Sequence, residues 1–423
     1  MNRLLRRTWP ACLVGSLLLS SRPASALEEA ATVLPPSASV IATLNRSPAY
    51  RAALRGTEAE RSVHRQYRIG AYEWTGTVSA TRRAQSAPTP QTTSEWDVGI
   101  ERRVRLPGKA AAADRAGQAR VGQAEAVRHK VWREQARLLL ERQGVWLRER
   151  ESARVWGIQV GLLRMQAEAV TKRHRVGDAA RIDQQQAEAA LALSQSQAEA
   201  ASGRAMAARE ALDRLFPDLD MAIDLAMPEP QALLRSDAEW LQSQLAVSPE
   251  LELARRESDA ADALMRLELA ETRADPTLGV RVGQARSGAE RTLGLVLNIP
   301  FGGEYRAAGA SAAAARAAAA GLQRDDAERR ALVDASSRLR EAQAAHDHWL
   351  RSADVARQLA QVAASMAKGY QLGDGSLAEV LSARRLANEQ ELSASTSAVD
   401  AWISRYRLEL EAGLLWSEMG MPR

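Results

Sequence analysis

The side chains here that could do chemistry are 5 histidines, 1 cysteine and 52 carboxylates in 423 residues. A metal centre needs several such groups to converge, and His64, His129, His174, His346 and His348 are scattered along the chain. His346 and His348 come nearest, but side chains two apart on a helix do not share a face. Neither an H-E-x-x-H pair nor a glycine-rich phosphate loop occurs. Nearly all the carboxylates sit in Arg/Glu-rich stretches, the pattern of a solvated helix surface. The sequence thus offers no catalytic constellation, no metal site and no cofactor site. What stands out instead is glycine and charge at two similar turns, Val176-Gly177-Asp178 and Leu372-Gly373-Asp374. Glycine there suits a left-handed helix terminus. Asp178 and Asp374 suit N-caps of the helices that follow.

The turns interrupt two long blocks without proline, residues 108–216 and 301–421, and all 15 prolines lie elsewhere. Both blocks are rich in Ala, Arg, Glu, Gln and Leu, which are strong helix formers. Each block reads as a helical hairpin. Its first helix is predicted over 109–171 or 304–368, about 95 Å at 1.5 Å per residue. A shorter helix of about 40 residues follows each turn. Opening helices are predicted near 48–70 and 249–274, introduced by Ser47-Pro48 and Ser248-Pro249. Laid end to end, the two shorter helices match one long one.

The landmarks recur in order: Ser47 at Ser248, Pro107 at Pro300 and Gly177 at Gly373, at offsets of 201, 193 and 196 residues. A unit repeated at such a period is a repeat architecture rather than a pair of unrelated domains. The expected division is an N-terminal signal over 1–26, a first repeat over 27–230 and a second over 231–423.

Between opening helix and long helix, each repeat carries a β-hairpin pattern, over 71–106 and 276–300. Tyr72, Trp74, Gly76, Val78 and Ala80 alternate with polar residues, as do Trp96, Val98 and Ile100. In the second repeat Leu278, Val280 and Val282 alternate, then Leu293, Leu295, Leu297 and Ile299. Period-two alternation gives strands with one apolar face. Strands of about 10 residues suit a membrane barrel, with Tyr72, Trp74 and Trp96 as interfacial aromatics; a small soluble sheet packed on helices fits the alternation equally. Four strands cannot close a membrane barrel, whose smallest form has about eight, and lipid tolerates no open edge. Membrane insertion would therefore require several copies to share one barrel.

Arg3, Arg6 and Arg7, the short apolar run Cys12–Leu19 and Ala24-Ser25-Ala26 form a secretory signal with cleavage after Ala26; the other reading is a short uncleaved anchor. Removing its four arginines takes the formal net charge from +5 to +1, which leaves no basic excess for nucleic acid. Cys12, at the start of the apolar run, goes with it, so no disulfide framework remains. No later segment approaches 18 apolar residues, the length at which a transmembrane helix is considered.

An exported chain, duplicated, with a β-hairpin before each very long helical hairpin, resembles the TolC-like outer-membrane efflux proteins over essentially its whole mature length. Val176-Gly177-Asp178-Ala179-Ala180-Arg181-Ile182-Asp183 and Leu372-Gly373-Asp374 through Ala383 look like the family's V-G-x-x-x-x-x-D-V-L segment. Arg105-Leu106-Pro107-Gly108-Lys109 and Ile299-Pro300-Phe301-Gly302-Gly303 look like its strand-to-helix junctions, the first faintly like the heavy-metal branch. The resemblance implies a mainly α fold with a small β part. Three copies would form an α-barrel of twelve helices continued by a shared 12-stranded transmembrane β-barrel. It implies a passive exit duct in outer-membrane lipid, working with a periplasmic adaptor and an inner-membrane pump, and no enzymatic activity. Val176, Gly177, Asp178, Leu372, Gly373 and Asp374 would be the adaptor-docking tips. Asp183 and Glu379 match the acidic positions that ring the closed periplasmic entrance, where negative charge favours cations. Ser382 departs from the pattern, standing where the family carries a second acidic group. The competing reading is a soluble periplasmic coiled-coil or adaptor protein. An adaptor, however, would need a β-rich segment flanking one helical hairpin, and this chain has two hairpins and four strands.

Overall fold

The computed structural model describes residues 34–220, 227–416 and 418. The predicted signal, with Cys12 and Ala26, lies outside the described residues. The same series of elements runs twice. The first is α1 (Ser37–Arg46), α2 (Pro48–Ile69), β1 (Trp74–Gln85), β2 (Gln91–Arg103), α3 (Lys109–Arg175) and α4 (Arg181–Leu215). The second is α5 (Asp237–Ala246), α6 (Pro249–Glu271), β3 (Thr277–Ala285), β4 (Glu290–Asn298), α7 (Glu304–Gln371) and α8 (Leu377–Glu411).

The Ser-Pro pairs start α2 and α6 for a physical reason. Ser47 and Ser248 are the N-caps, their hydroxyls accepting from the N–H of Tyr50 and Leu251 at 3.3 Å. Pro48 and Pro249 follow at the first helical position, where a missing N–H costs nothing. The long helices α3 and α7 hold 67 and 68 residues, about 100 Å each. They run past the predicted ends at 171 and 368 because their basic and small residues continue the helix to the glycine that reverses it. The helices after the turns, α4 and α8, hold 35 residues each, shorter than expected.

Near the turns α4, α3, α8 and α7 lie side by side; towards the sheet, α2 and α6 take the places of α4 and α8 beside the long helices. Thus two short helices do stack along one long one. Packing is thickest near mid-length, where Trp132, Leu139, Trp146 and Leu147 of α3 meet Val40 and Leu44 of α1, Phe216, and Val399 and Trp402 of α8. Elsewhere the interfaces use small residues, such as Ala335, Ala342 and Ala356 on α7, which let helix axes approach closely.

The four strands form one antiparallel sheet in the order β1-β2-β3-β4. β1 and β2 are 12 and 13 residues long. Pairing continues to Gln85↔Gln91, through residues read from sequence as loop, because ladder hydrogen bonds need no apolar alternation. Among the described residues, no helix is long and apolar enough to cross a membrane.

Candidate functional site

Three places position the sequence-predicted groups: the two helical turns, the first turns of α4 and α8, and the sheet.

The α3–α4 and α7–α8 turns share one backbone design. Gly177 has φ +83° and Gly373 φ +88°, the left-handed region that glycine enters at little cost. Asp178 N–H donates to the Arg173 carbonyl at 2.8 Å and Gly177 N–H to that of His174 at 3.0 Å. Asp374 N–H donates to Gly369 O at 2.9 Å and Gly373 N–H to Tyr370 O at 3.2 Å. Each pair is a Schellman motif satisfying the last carbonyls of a long helix. Val176 and Leu372 project at the apices, 80% and 79% exposed.

Asp178 and Asp374 are not N-caps, contrary to expectation. They belong to the preceding Schellman turn, and the N-caps of the next helices, Ala180 and Ser376, lie two residues later. Asp178 instead accepts from Arg173 Nε at 2.8 Å. The same guanidinium lies 5.0 Å over the Tyr370 ring, a cation–π contact that joins the two hairpins. Burial, with Asp183 and Asp178 nearby, pushes the Tyr370 phenol up. Val170, Ala187, Leu377 and Val380 pack beneath it. Nothing in the sequence pattern marked Arg173 and Tyr370 as partners, because they are 197 residues apart.

Asp183 and Glu379 occupy matching places, the third residue of α4 and of α8. Carboxylates there suit the positive end of the helix dipole. Asp183 is half-buried; Glu379 is exposed. Glu379 closes a capping box, its Oε2 accepting from Ser376 N–H at 2.9 Å while Ser376 Oγ accepts from Glu379 N–H at 3.3 Å. The backbone hydrogen bond from Ser376, then its hydroxyl, hold this carboxyl below the ordinary range. It therefore carries full charge at neutral pH, with its second oxygen available.

The sheet is amphipathic. Register places Trp74, Val78, Val98, Val280, Leu293 and Leu295 on one face. Val78, Leu293 and Leu295 are 78%, 78% and 89% exposed. The other face carries Thr75, Thr77, Ser79, Asp97, Glu101 and Arg281, with Gly99, Gly279 and Gly283 among them. A Cβ on Gly279 would stand 2.7 Å from the Glu101 side chain, and one on Gly283 2.9 Å from Thr292 Oγ1. The polar face is thus the crowded one, as the inner side of a curved sheet is. β1 and β4 each leave one edge unpaired.

Beneath the sheet, a buried cluster fixes where strands become helices. Lys109, 2% exposed, places Nζ 2.9 Å from Asp275 and 2.8 Å from Glu271. Asp275 also accepts from Tyr72 Oη at 2.8 Å and Leu106 N–H at 3.0 Å. Burial works to raise the Asp275 carboxyl, but the bonds from Lys109, Leu106 and Tyr72 outweigh it and hold the group below its usual range. Burial first, then the bond to Asp275, push the Tyr72 phenol up to about 12, so it stays a donor at physiological pH. No group of His, Cys, Asp and Glu suited to a metal occurs among the described residues.

By sequence, the chain matches no family model and no curated protein. By structure it is similar to outer-membrane channels along nearly its full length. CusC, whose structures concern folding and transmembrane channel formation, superposes with TM-score 0.74 at 15% identity, covering 89% of this chain and 91% of CusC. A membrane protein from Pseudomonas aeruginosa gives 0.75 at 16%, with 92% of each chain covered. The outer-membrane protein VceC of Vibrio cholerae gives 0.68 at 19%, covering 89% of this chain and 94% of VceC. The chain has the fold of these channels.

Proposed function

We propose that this chain, which has the fold of the TolC-like outer-membrane channels, is the outer-membrane exit duct of a tripartite efflux pump. The observation that carries the reading is the sheet: one continuous exposed apolar face, a crowded polar face behind it, and two free edges. An apolar face of this extent in water would be an aggregation site; in lipid it is the ordinary outer surface of a barrel. Free edges are forbidden in lipid, so copies must meet edge to edge. Three copies of a four-stranded sheet close a 12-stranded barrel, and their helices continue it as an α-barrel into the periplasm.

Transport in this reading is passive, with small molecules or metal ions moving from periplasm to exterior and the energy supplied by an inner-membrane pump. A periplasmic adaptor meets the turns carrying Val176, Gly177, Asp178, Leu372, Gly373 and Asp374, where exposed aliphatic apices offer contact. Asp183 and Glu379, repeated in each copy, form the acidic ring of the periplasmic gate. The repeats divide near residue 230, and residues 1–26 direct export.

Cell fractionation followed by gel migration of unheated and boiled membranes tests this. A detergent-extracted band at trimer mass that collapses on boiling is the expected result. A monomer in the soluble periplasmic fraction would overturn it in favour of a coiled-coil protein.

A further inference from the structure

We infer that the outer rim of the apolar sheet face is a headgroup site for a phosphorylated glycolipid of the outer leaflet, with Arg82 and Arg291 binding its phosphates. This rests on the duct reading above, which puts the β1–β2 and β3–β4 turns outside the cell, and goes beyond it by naming the lipid.

Charge divides unevenly between the two faces of the sheet. The strands carry four carboxylates, Glu95, Asp97, Glu101 and Glu290, and the register places all of them on the polar face. Three of these have cations beside them: Arg83 lies 3.1 Å from Glu95, Arg281 3.8 Å from Asp97 and Arg286 2.6 Å from Glu290. The apolar face carries no acid but holds three arginines, Arg82, Arg102 and Arg291. Arg102, at the end nearest the helices, is engaged within the chain. Its Nε donates to the Tyr72 carbonyl at 2.8 Å, and its guanidinium lies 5.3 Å over the Trp74 ring. Arg82 and Arg291, at the far end, are exposed, and their side chains make no hydrogen bond or ion pair among the described residues.

Both free cations stand where the face stops being apolar. Outward of the rows that contain Val78 and Leu293 comes a row of Ala80, Trp96, Gln284 and Arg291, and beyond it Arg82 beside Ser94. In a membrane this is the step from hydrocarbon to headgroups, where tryptophan collects and arginine extends its charge outward from an apolar stem. A guanidinium presents a flat fork of donors that matches phosphate. Arg82 and Arg291 are three strand spacings apart across the sheet, about 14 Å, with Ser94 and Gln284 between them. A sugar headgroup with a phosphate at each end and hydroxyls along its length complements that row. A glycerophospholipid has one phosphate and reaches one end only. The β1–β2 turn above, residues 86–90, contains no carboxylate to repel such a headgroup.

The test uses full-length protein extracted from outer membranes in mild detergent and stripped of lipid by exchange. It is titrated with lipid A bearing two phosphates, with dephosphorylated lipid A and with phosphatidylglycerol, and bound lipid is read by native mass spectrometry. Two-phosphate lipid A is expected to bind tightest. Arg82→Gln or Arg291→Gln should weaken it about fivefold, and the double variant about thirtyfold, whereas Arg83→Gln on the polar face should leave it unchanged. Removing the phosphates should weaken binding to the unaltered protein as much as the double substitution does. That comparison stands even where a variant fails to assemble. Equal binding by the double variant and the unaltered protein overturns the site and leaves the duct reading intact. So does an unaltered protein that binds dephosphorylated lipid A or phosphatidylglycerol as tightly as the two-phosphate form. A chain recovered from the soluble periplasmic fraction overturns the site and the duct reading together.

Discussion

Arg173 serves two partners at once, the Asp178 carboxylate and the Tyr370 ring, and so ties one helical hairpin to the other at the turn end. Its contacts are partly exposed, so its stabilising effect is modest, and Arg173→Ala is expected to free the turns from each other rather than unfold them. Amide hydrogen exchange should show faster exchange confined to residues near 170–180 and 366–377. Lys109 is different, because it is sealed from solvent between two carboxylates. Lys109→Met leaves Asp275 buried without its cation and is expected to cost about 3–5 kcal/mol, read as a lower unfolding temperature in detergent. Asp275→Asn should cost less, since Lys109 keeps Glu271. The acidic positions are expected to act through charge alone: Glu379→Gln with Asp183→Asn should lower cation-over-anion selectivity in planar bilayers at unchanged fold, and equal reversal potentials would remove them from the gate.

At the scale of elements, caps and faces decide. Ser376→Ala removes the hydroxyl half of a capping box and is expected to cost about 1 kcal/mol, whereas Ala180, which caps α4 without a side-chain bond, has nothing to lose on substitution by Gly beyond a few tenths. Thermal unfolding compares the two. On the sheet, Leu295→Arg puts a charge on the apolar face and is expected to cost about 2–4 kcal/mol in a bilayer; Thr77→Arg on the polar face should be tolerated. Equal membrane yields of the two variants would mean that neither face meets lipid. Joints between elements respond to acid. Burial works to raise the Glu250 carboxyl, but Arg137, 2.6 Å away, holds it below the usual range, as the Lys109 cluster does for Asp275. Such groups stabilise the fold above the unfolded carboxyl values near 4 and lose that contribution as pH falls through the lower folded values. Unfolding temperature should therefore fall below about pH 4, and less so in Glu250→Gln.

At the scale of the whole molecule, the described residues leave edges open in both the helical layer and the sheet. One edge of the helical layer is α7 and the other is α2 with α4, while the sheet ends at β1 and β4. Leu322, Val333 and Val362 on α7, and Leu193 and Met206 on α4, stay exposed. Edges of opposite identity give a head-to-tail interface, which forms a ring when the rotation closes. Trimer migration should accordingly be lost on boiling without any disulfide.

The sequence by itself determined the elements and their order. Proline-free blocks, Ser-Pro starts, glycine turns and two-residue alternation are local signals that depend on backbone chemistry within a few residues. They gave both hairpins, all four strands and the apices Val176 and Leu372. Where local signals compete, the reading went astray: an aspartate after a glycine serves either the helix that ends or the helix that begins, and only the folded turn assigned Asp178 and Asp374 to the former. The tertiary structure alone decided which distant groups meet. Arg173 with Tyr370, Lys109 with Asp275 and Arg102 with Leu278 are contacts across the repeat, made by packing two copies of one design against each other. No spacing in a single sequence encodes them, because their separation follows from helix length and strand tilt rather than from any local preference.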